Sequence, residues 1–209
     1  YRLLNEAVRD RRGGLHSAPI LLESYDFAEI EALQAAGDWD AAGALLADSA
    51  RRLEAAGAGL IGLCTNTMHV CAPAIISAVG IPFIDIADAT GATIAKSGRR
   101  RPLLLATRFT MEMDFYREGL RAHGLDPAIP DDAGRMEVHR VIYDELCRGV
   151  VRDDSREAYR AVIARGADAD SVIFGCTEIS MLLAPDDVPL PVFDSVAAHV
   201  DALVTAACA

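Results

Sequence analysis

Two short segments of this sequence place a cysteine and a threonine after an apolar run and before a helix-forming run. The first is GLIGLCTNTMHV (59–70), and the second is DSVIFGCTEISML (170–182). In α/β proteins, ligands bind where a strand ends and the next helix begins. Cys64 and Cys176 lie about half the chain apart, so the repeat indicates two similar halves that each present a thiol. Two facing thiols suit a reaction that removes a proton from one side of a carbon and returns one to the other.

The residues beside both cysteines favour a small anionic ligand. A thiol near a helix N-terminus meets backbone N–H groups and the positive end of the helix dipole, which favour the thiolate. The same N–H groups can hold a carboxylate. Thr65, Asn66 and Thr67 follow the first cysteine and Thr177 follows the second, so neutral donors surround the expected ligand. The alternative is that both cysteines are packing residues, since free cysteine is among the most buried residue types.

Strands alternate with helices along the chain, which predicts the α/β class with parallel sheets. The expected strands are 18–24, 59–63, 81–86, 101–107, 125–129, 172–175 and 192–193. The expected helices are 1–12, 38–56, 67–79, 87–97, 110–121, 132–148, 153–165, 178–183 and 196–207. The basic break at 97–101 is the expected domain boundary. It gives a first domain of residues 1–98 plus 193–209, which carries Cys64, and a second of residues 99–192, which carries Cys176.

Composition limits the classes of partner and cofactor. The 209 residues carry a net charge of −11, which disfavours nucleic acids and anionic membrane surfaces. No apolar run approaches the roughly 18 residues of a membrane span. Five cysteines without a compact spacing, and no visible signal peptide, predict a reducing, cytoplasmic location. Lys96 is the only lysine and lies beside an arginine-rich loop, which argues against pyridoxal phosphate. Cys64, His69 and Cys71 lack a fourth ligand and a metal-type spacing, so we expect no metal site.

The two cysteine segments carry a family resemblance. CTNTMH (64–69) and GCTE (175–178) resemble the two signature segments of the aspartate/glutamate racemase superfamily. The similarity covers essentially the whole chain and is most evident in GGLHSA (13–18), DIADAT (85–90), ATRFTM (106–111), DFYR (114–117) and PVFDS (191–195).

The resemblance implies a fold of two similar α/β domains, each with a parallel sheet flanked by helices, and an active site in the cleft between them. It also implies a homodimer that racemises amino acids without a cofactor. Cys64 and Cys176 would then face opposite sides of the substrate Cα, one taking the α-proton and the other delivering one. The substrate-binding residues that we expect are Thr65, Asn66, Thr67, Thr107, Thr110, Thr177 and Glu178. Thr110 is also the expected N-cap of the helix that follows strand 101–107, and Glu178 has the alternative role of helix-dipole compensation.

The sequence departs from the family pattern in the residues that would bind a substrate side chain. Aspartate-specific members carry an arginine in the loop after the second strand and a lysine in the second domain. Here the loop is ESYDFAEI (23–30), without a basic residue, and the lysine position falls at or beside Cys147, next to Arg148. Without these cations an acidic side chain loses its charge-assisted contacts. The sequence is therefore most like the broad-specificity branch, which accepts neutral amino acids.

The start of the sequence also differs from the family. Tyr1 leads directly into a helix, whereas family members open with a strand and a turn that lines the substrate pocket. We therefore expect the first strand of the first domain to be missing.

Other functions stay open at this point. An aspartate- or glutamate-specific racemase, hydantoin racemisation, maleate isomerisation and a catalytically silent small-molecule-binding protein of the same fold are all compatible with two cysteines. A thiol hydrolase is less compatible, because no histidine stands beside either cysteine as an evident base.

Overall fold

Strands and helices alternate in the computed structural model, which describes residues 1–166 and 168–208. The strands are β1 (Ile61–Gly62), β2 (Phe83–Ile84), β3 (Pro102–Leu105), β4 (Ser171–Phe174) and β5 (Val192–Asp194). The helices are α1 (Arg2–Arg12), α2 (Phe27–Ala36), α3 (Trp39–Ala55), α4 (Ala72–Ala78), α5 (Ile86–Lys96), α6 (Arg108–Glu112), α7 (Asp114–Ala122), α8 (Asp132–Asp144), α9 (Asp153–Arg165), α10 (Ile179–Leu182) and α11 (Ser195–Ala207). Short 3₁₀ helices span Thr67–Cys71, Leu146–Arg148 and Pro185–Asp187. Each pair of neighbouring strands is parallel. These parallel sheets and their flanking helices confirm the predicted α/β class.

The chain folds into two compact units. The first contains Tyr1–Leu63, Met68–Asp85 and the end of the chain from Val200, and the second contains Cys64–Thr67 and Ile86–His199. These bounds differ from the predicted domains, because α5, the segment Cys64–Thr67 and residues 193–199 group with the second unit. Ala167 and Ala209, which the predicted domains include, lie outside the described residues.

The second unit is built on a three-stranded sheet in the order β3–β4–β5. Every residue of β3 and β4 is buried, which is typical of a parallel sheet covered on both faces. In register, Leu103 lies opposite Val172 and Leu105 opposite Phe174. Leu103 also bridges in parallel to Ala128, so the predicted strand at 125–129 is reduced to a single bridge. The sheet fixes the ends of β3 and β4 side by side, and the chain emerges there toward Thr107 and Cys176.

The first unit holds the short parallel pair β1–β2, with Ile61 opposite Phe83. Its core joins residues of α2, α3 and α4 to this pair. The predicted helix 67–79 is divided here into the 3₁₀ helix Thr67–Cys71 and α4. Pro73 explains the division, since a proline without an N–H group is tolerated in the first turn of an α-helix and not in its interior.

The prediction of a strand at 18–24 is wrong, because this segment pairs with no strand in the described part of the chain. Side chains bind it to α3 instead. Glu23 accepts hydrogen bonds from Ser49 and Arg52, and Tyr25 is hydrogen-bonded to Ser49. An extended apolar sequence becomes a strand only where a neighbouring backbone is available, and local sequence does not report that neighbour.

The predicted N-cap of the helix after β3 is also wrong. Thr107 caps α6, and its hydroxyl accepts a hydrogen bond from the backbone N–H of Thr110. The expected helix 110–121 is divided into α6 and α7, which meet at Met113. Thr107 and Thr110 are both acceptable cap residues, and the structure places the first of them at the strand end.

A buried carboxylate fixes the turn that follows α8. Glu145 accepts a hydrogen bond from Ser155 at 2.5 Å and from Arg140 at 2.8 Å. The bond from Ser155 and then the Arg140 guanidinium lower the pKa of Glu145, against the opposing effect of burial. The 3₁₀ helix Leu146–Arg148 starts directly after it, so this network positions Cys147.

We expect a pH-dependent stability from Glu145. The folded-state pKa of Glu145 is lowered, so the stabilisation that its ionised carboxylate provides is fully present at neutral pH. This stabilisation is lost as the pH falls below the ordinary carboxyl range and through the folded-state pKa of Glu145. Glu145→Gln should lower the free energy of unfolding at pH 7 by about 1–3 kcal/mol and flatten its decrease toward pH 4. Urea unfolding of both proteins across this range measures the difference. Equal slopes for the two proteins would contradict the prediction.

None of the helices in the described residues combines the length and apolar character that crossing a membrane requires.

Candidate active site

The first cysteine lies on a short turn between β1 and the 3₁₀ helix Thr67–Cys71. Cys64 is exposed and Thr65 is half-buried, whereas Asn66 and Thr67 are buried. Although β1 belongs to the first compact unit, this turn groups with the second unit. The two cysteines therefore lie in the same compact unit.

Three threonine hydroxyls join this turn to the end of β3. The Oγ1 of Thr67 lies 2.8 Å from that of Thr107 and 3.1 Å from that of Thr110, and the last two are 3.2 Å apart. Thr110 is fully buried and Thr107 nearly so. The three hydroxyls satisfy one another, which holds the Cys64 turn against the start of α6. Three of the residues predicted to bind substrate are thus brought together.

The second cysteine follows β4 and is buried. Its Sγ–H group donates to Oε2 of Glu178 at 3.0 Å, and the hydroxyl of Thr177 donates to the same oxygen at 2.6 Å. Burial, followed by the negative charge of Glu178, raises the pKa of Cys176 well above its usual range. Cys176 therefore rests as a thiol that has a proton to give, and Glu178 holds that proton in place.

Cys147 belongs to the same electrostatic cluster. Partial burial and then the charge of Glu178 raise the pKa of Cys147, and Cys147 in turn contributes to the raised pKa of Cys176. The 3₁₀ helix Leu146–Arg148 also contacts α10, which follows Glu178. Cys147 thus acts electrostatically on the second cysteine, and it is only partly covered by the protein.

A serine that the sequence analysis did not single out connects the two cysteine segments. Asn66 donates from Nδ2 to the Oγ of Ser195 at 3.2 Å, and Ser195 donates to the carbonyl oxygen of Phe174 at 2.9 Å. Asn66 comes just after Cys64 and Thr65, and Phe174 and Gly175 come just before Cys176. The sequence indicates Ser195 only indirectly, through the PVFDS segment. Its Asp194 caps α11 and so fixes the position of Ser195, the next residue. Its position against the cysteines depends on tertiary structure.

Two further features bear on metal binding. His69 is buried and packs its ring 5.4 Å from that of Phe83, within the first compact unit. Cys71 is also buried, and burial raises its pKa to about 11, which disfavours the thiolate that a metal would need. Among the described residues, no group of three or more His, Cys, Asp or Glu side chains is arranged to hold a metal ion.

Comparison with known proteins places the chain in a family. The sequence profile of the Asp/Glu/hydantoin racemases matches residues 1–203. The chain belongs to this racemase family.

Two solved structures agree over the whole chain, and a third agrees over part of it. A proposed Asp/Glu racemase from Yersinia pestis shares 47% identity at a TM-score of 0.92, over 100% of this chain and 92% of that one. An aspartate racemase homologue from Pyrococcus horikoshii OT3 shares 31% identity at a TM-score of 0.85, again over 100% and 92%. The aspartate racemase of Picrophilus torridus matches 76% of this chain and 66% of its own length, at 28% identity and a TM-score of 0.62. The racemase fold predicted from the cysteine segments is confirmed.

Proposed function

We propose that this chain is a cofactor-independent amino-acid racemase in which Cys64 and Cys176 exchange protons with the two faces of the substrate Cα. The observation that carries the proposal is the hydrogen-bonded connection from Asn66 through Ser195 to Phe174, which ties the two cysteine segments together. The backbone N–H of Gly175 also donates to Leu105, at 2.8 Å, so that the end of β3 is bound to the second cysteine segment as well.

The contact of the Cys176 thiol supports a starting role for that residue. Cys176 is protonated and hydrogen-bonded, so it delivers a proton to one face of Cα in the first turnover. Cys64 has the complementary role and takes the α-proton from the opposite face. After the reaction Cys64 carries a proton and Cys176 is the thiolate, so the next turnover runs in the reverse direction or follows a proton exchange with water.

Besides transferring protons, the site must stabilise the carbanion that forms beside the substrate carboxylate. The hydroxyl groups near the cysteines suit this role. Negative charge moves onto the carboxylate as the α-proton leaves, and oriented donors lower the energy of that state. Thr65 and Thr177 are the threonines that directly follow the two cysteines, and Thr67 is held by its contacts with Thr107 and Thr110. We assign the carboxylate to Thr65 and to nearby backbone N–H groups, because the hydroxyl hydrogen of Thr177 is directed at Glu178 and Thr67 is hydrogen-bonded to Thr107 and Thr110.

The carboxylate in contact with Cys176 favours a broad range of neutral substrates. Lys96 is the only lysine in the sequence, and the charged group in contact with the second thiol is the carboxylate of Glu178. By resemblance, the position of the lysine that binds an acidic side chain falls at or beside Cys147, next to Arg148. An acidic substrate would meet the negative charge of Glu178 with no lysine to offset it.

A substitution at Cys147 tests the substrate range. Cys147→Lys should raise the rate ratio of L-aspartate to L-alanine by about 10- to 100-fold, because a hydrogen bond to a charged group adds this much selectivity. Cys147→Met is the control, since it has a similar length and no charge, and should leave the ratio within about twofold. Any effect of the new lysine on Cys176 changes the rates with both substrates alike, so it cancels in the ratio of the two rates. An unchanged ratio in Cys147→Lys would show that this residue does not face the substrate side chain.

A strict aspartate or glutamate racemase is the second candidate, because similar solved proteins include aspartate racemases. Chiral analysis of a panel of neutral and acidic amino acids, incubated with the protein in heavy water, separates the two. Neutral amino acids should racemise at least as fast as L-aspartate and gain deuterium at Cα. Turnover confined to aspartate or glutamate would favour the second candidate, and no exchange with any amino acid would favour a binding protein.

The homodimer and the cytoplasmic location that we expect from the sequence stay predictions. Light scattering of the purified chain measures the oligomeric state.

A further inference from the structure

A histidine of α8 is hydrogen-bonded to the start of α6. The backbone N–H of Arg108, the first residue of α6, donates to Nδ1 of His139 at 3.2 Å. The ring of His139 also meets that of Phe109 at nearly a right angle, with the ring centroids 6.0 Å apart. On its own helix it packs against Tyr143, with the centroids 4.5 Å apart. His139 therefore contacts α6 both through a hydrogen bond and through its ring.

The hydrogen bond fixes the protonation state of His139. An imidazole nitrogen accepts a hydrogen bond only while it carries no proton, so the ring is neutral and has its hydrogen on Nε2. Burial, followed by the positive charge of Arg108, lowers the pKa of His139, and the carboxylates of Asp144 and Glu112 oppose this shift. Glu112 is itself paired with Arg135 of α8 at 3.0 Å. At neutral pH the ring is therefore uncharged and the bond to α6 is present.

Helix α6 depends on such contacts because it is short. It spans five residues, Arg108–Glu112, and a helix of this length is not stable by itself. The N–H groups of a first helical turn have no partner within their own helix. Thr107 accepts from one of them, that of Thr110, and His139 accepts from another, that of Arg108. His139 thus helps to fix where α6 starts.

The start of α6 in turn supports the Cys64 turn. Thr107 caps α6, and its Oγ1 lies 2.8 Å from that of Thr67. Thr67 comes three residues after Cys64, and both belong to the same compact unit as α6 and α8. A shift of the first turn of α6 therefore moves Thr107 away from Thr67 and loosens the turn that carries Cys64.

We propose that neutral His139 is a positioning residue for the Cys64 turn, because it holds the first turn of α6 in place, and that protonation of His139 releases this support. The inference rests on the proposed racemase function, in which Cys64 must meet the substrate Cα in a defined geometry. A proton on Nδ1 would face the N–H of Arg108, and the new positive charge would lie near the Arg108 guanidinium. Both effects push the ring and α6 apart.

The direction of the pKa shift gives the pH range of this effect. The folded-state pKa of His139 is lowered, so the support is complete at and above the ordinary titration range of histidine. It is lost as the pH falls below that range and through the folded-state pKa of His139.

Two substitutions separate the hydrogen bond from the charge. In His139→Asn, Oδ1 takes about the place of Nδ1 and accepts from Arg108 without titrating, whereas His139→Leu has no acceptor. Racemisation of L-alanine is measured from about pH 8 to about pH 5 and divided by the rate of His139→Asn, which cancels groups that both proteins share. The wild-type ratio should be near one at about pH 8 and fall by about 5- to 10-fold at about pH 5. The ratio for His139→Leu should be lowered by about this factor throughout.

His123→Gln is the matched control. His123 lies in the same compact unit, and its Nε2 lies 2.7 Å from Oδ1 of Asp88 on α5, a contact that a glutamine amide can keep. This variant should lose activity toward acid as the wild-type protein does.

NMR tests the inference without turnover. In the wild-type protein the amide signals of Arg108 and Thr67 should shift together, with the midpoint of the His139 ring titration. In His139→Asn they should stay near the high-pH positions, and in His139→Leu near the low-pH positions although leucine carries no charge. The wild-type protein and His139→Asn carry the test if His139→Leu does not fold.

The outcomes separate this inference from the racemase proposal. A Thr67 signal that does not follow His139, or a wild-type rate ratio that stays constant with pH, overturns the inference. A wild-type protein that exchanges no deuterium at Cα of any amino acid refutes the racemase proposal alone, since the NMR titration still decides whether His139 acts on the Cys64 turn.

Discussion

Replacing Cys176 by serine is expected to lower the racemisation rate by about 10²- to 10⁴-fold, the range that general acid–base groups contribute. A serine hydroxyl gives up and accepts a proton much less readily than a thiol does in this setting. The expected defect is specific to inversion. Cys64 would still remove the α-proton from one enantiomer and return a deuteron from heavy water to the same face. Deuterium should therefore enter that enantiomer with retention of configuration, as measured by NMR combined with chiral chromatography.

The reciprocal variant and a control make the result decisive. Cys64→Ser should show the opposite pattern, with exchange confined to the other enantiomer. Cys208→Ser, which changes a cysteine of the first compact unit, should keep the wild-type rate. Wild-type exchange in both Cys64→Ser and Cys176→Ser would refute the two-thiol mechanism, and identical loss in Cys208→Ser would indicate a general effect on folding.

The elements of the second compact unit were predictable because their signals are local. Helix α9 has the bounds that its pattern predicts, Asp153–Arg165, since the acidic first turn and the following glycine mark both ends. Strand β3 lies within the predicted run 101–107, and β4 begins and ends one residue before the predicted run 172–175, because buried parallel strands are continuous apolar segments. The segment 18–24 has the same apolar character and forms no strand, since pairing depends on a distant backbone.

The residue types of the candidate site could be predicted from the sequence, but the hydrogen bonds that link those residues could not. Cys64 and Cys176 stand out through the Cys-Thr repeat, and the threonine at position 107 stands at a strand end. Ser195 carries no comparable signal, because a serine at the start of a helix is ordinary. Its importance arises from the fold, which sets it against Asn66 and Phe174. The grouping of the Cys64 turn with the second unit likewise depends on tertiary contacts.

The glycine before the second cysteine is expected to be indispensable for a steric reason. A Cβ atom added to Gly175 would lie 2.7 Å from Cδ1 of Leu104 and 3.2 Å from the carbonyl oxygen of Leu105. The leucine side chain can shift, but the carbonyl is part of β3 and also accepts the hydrogen bond from the N–H of Gly175. Gly175→Ala must therefore displace the chain that carries Cys176.

We expect Gly175→Ala to lower the free energy of unfolding by about 1–3 kcal/mol, as overpacking of a core does. The racemisation rate should fall by about 10²-fold, because a displacement of about 1 Å in a reacting group costs this much. Combining it with Leu104→Val removes the shortest of these contacts and should recover part of the stability. Urea unfolding and chiral analysis of the single and double variants measure both effects. A wild-type rate in Gly175→Ala would mean that Cys176 tolerates displacement, which contradicts a role as a positioned proton donor.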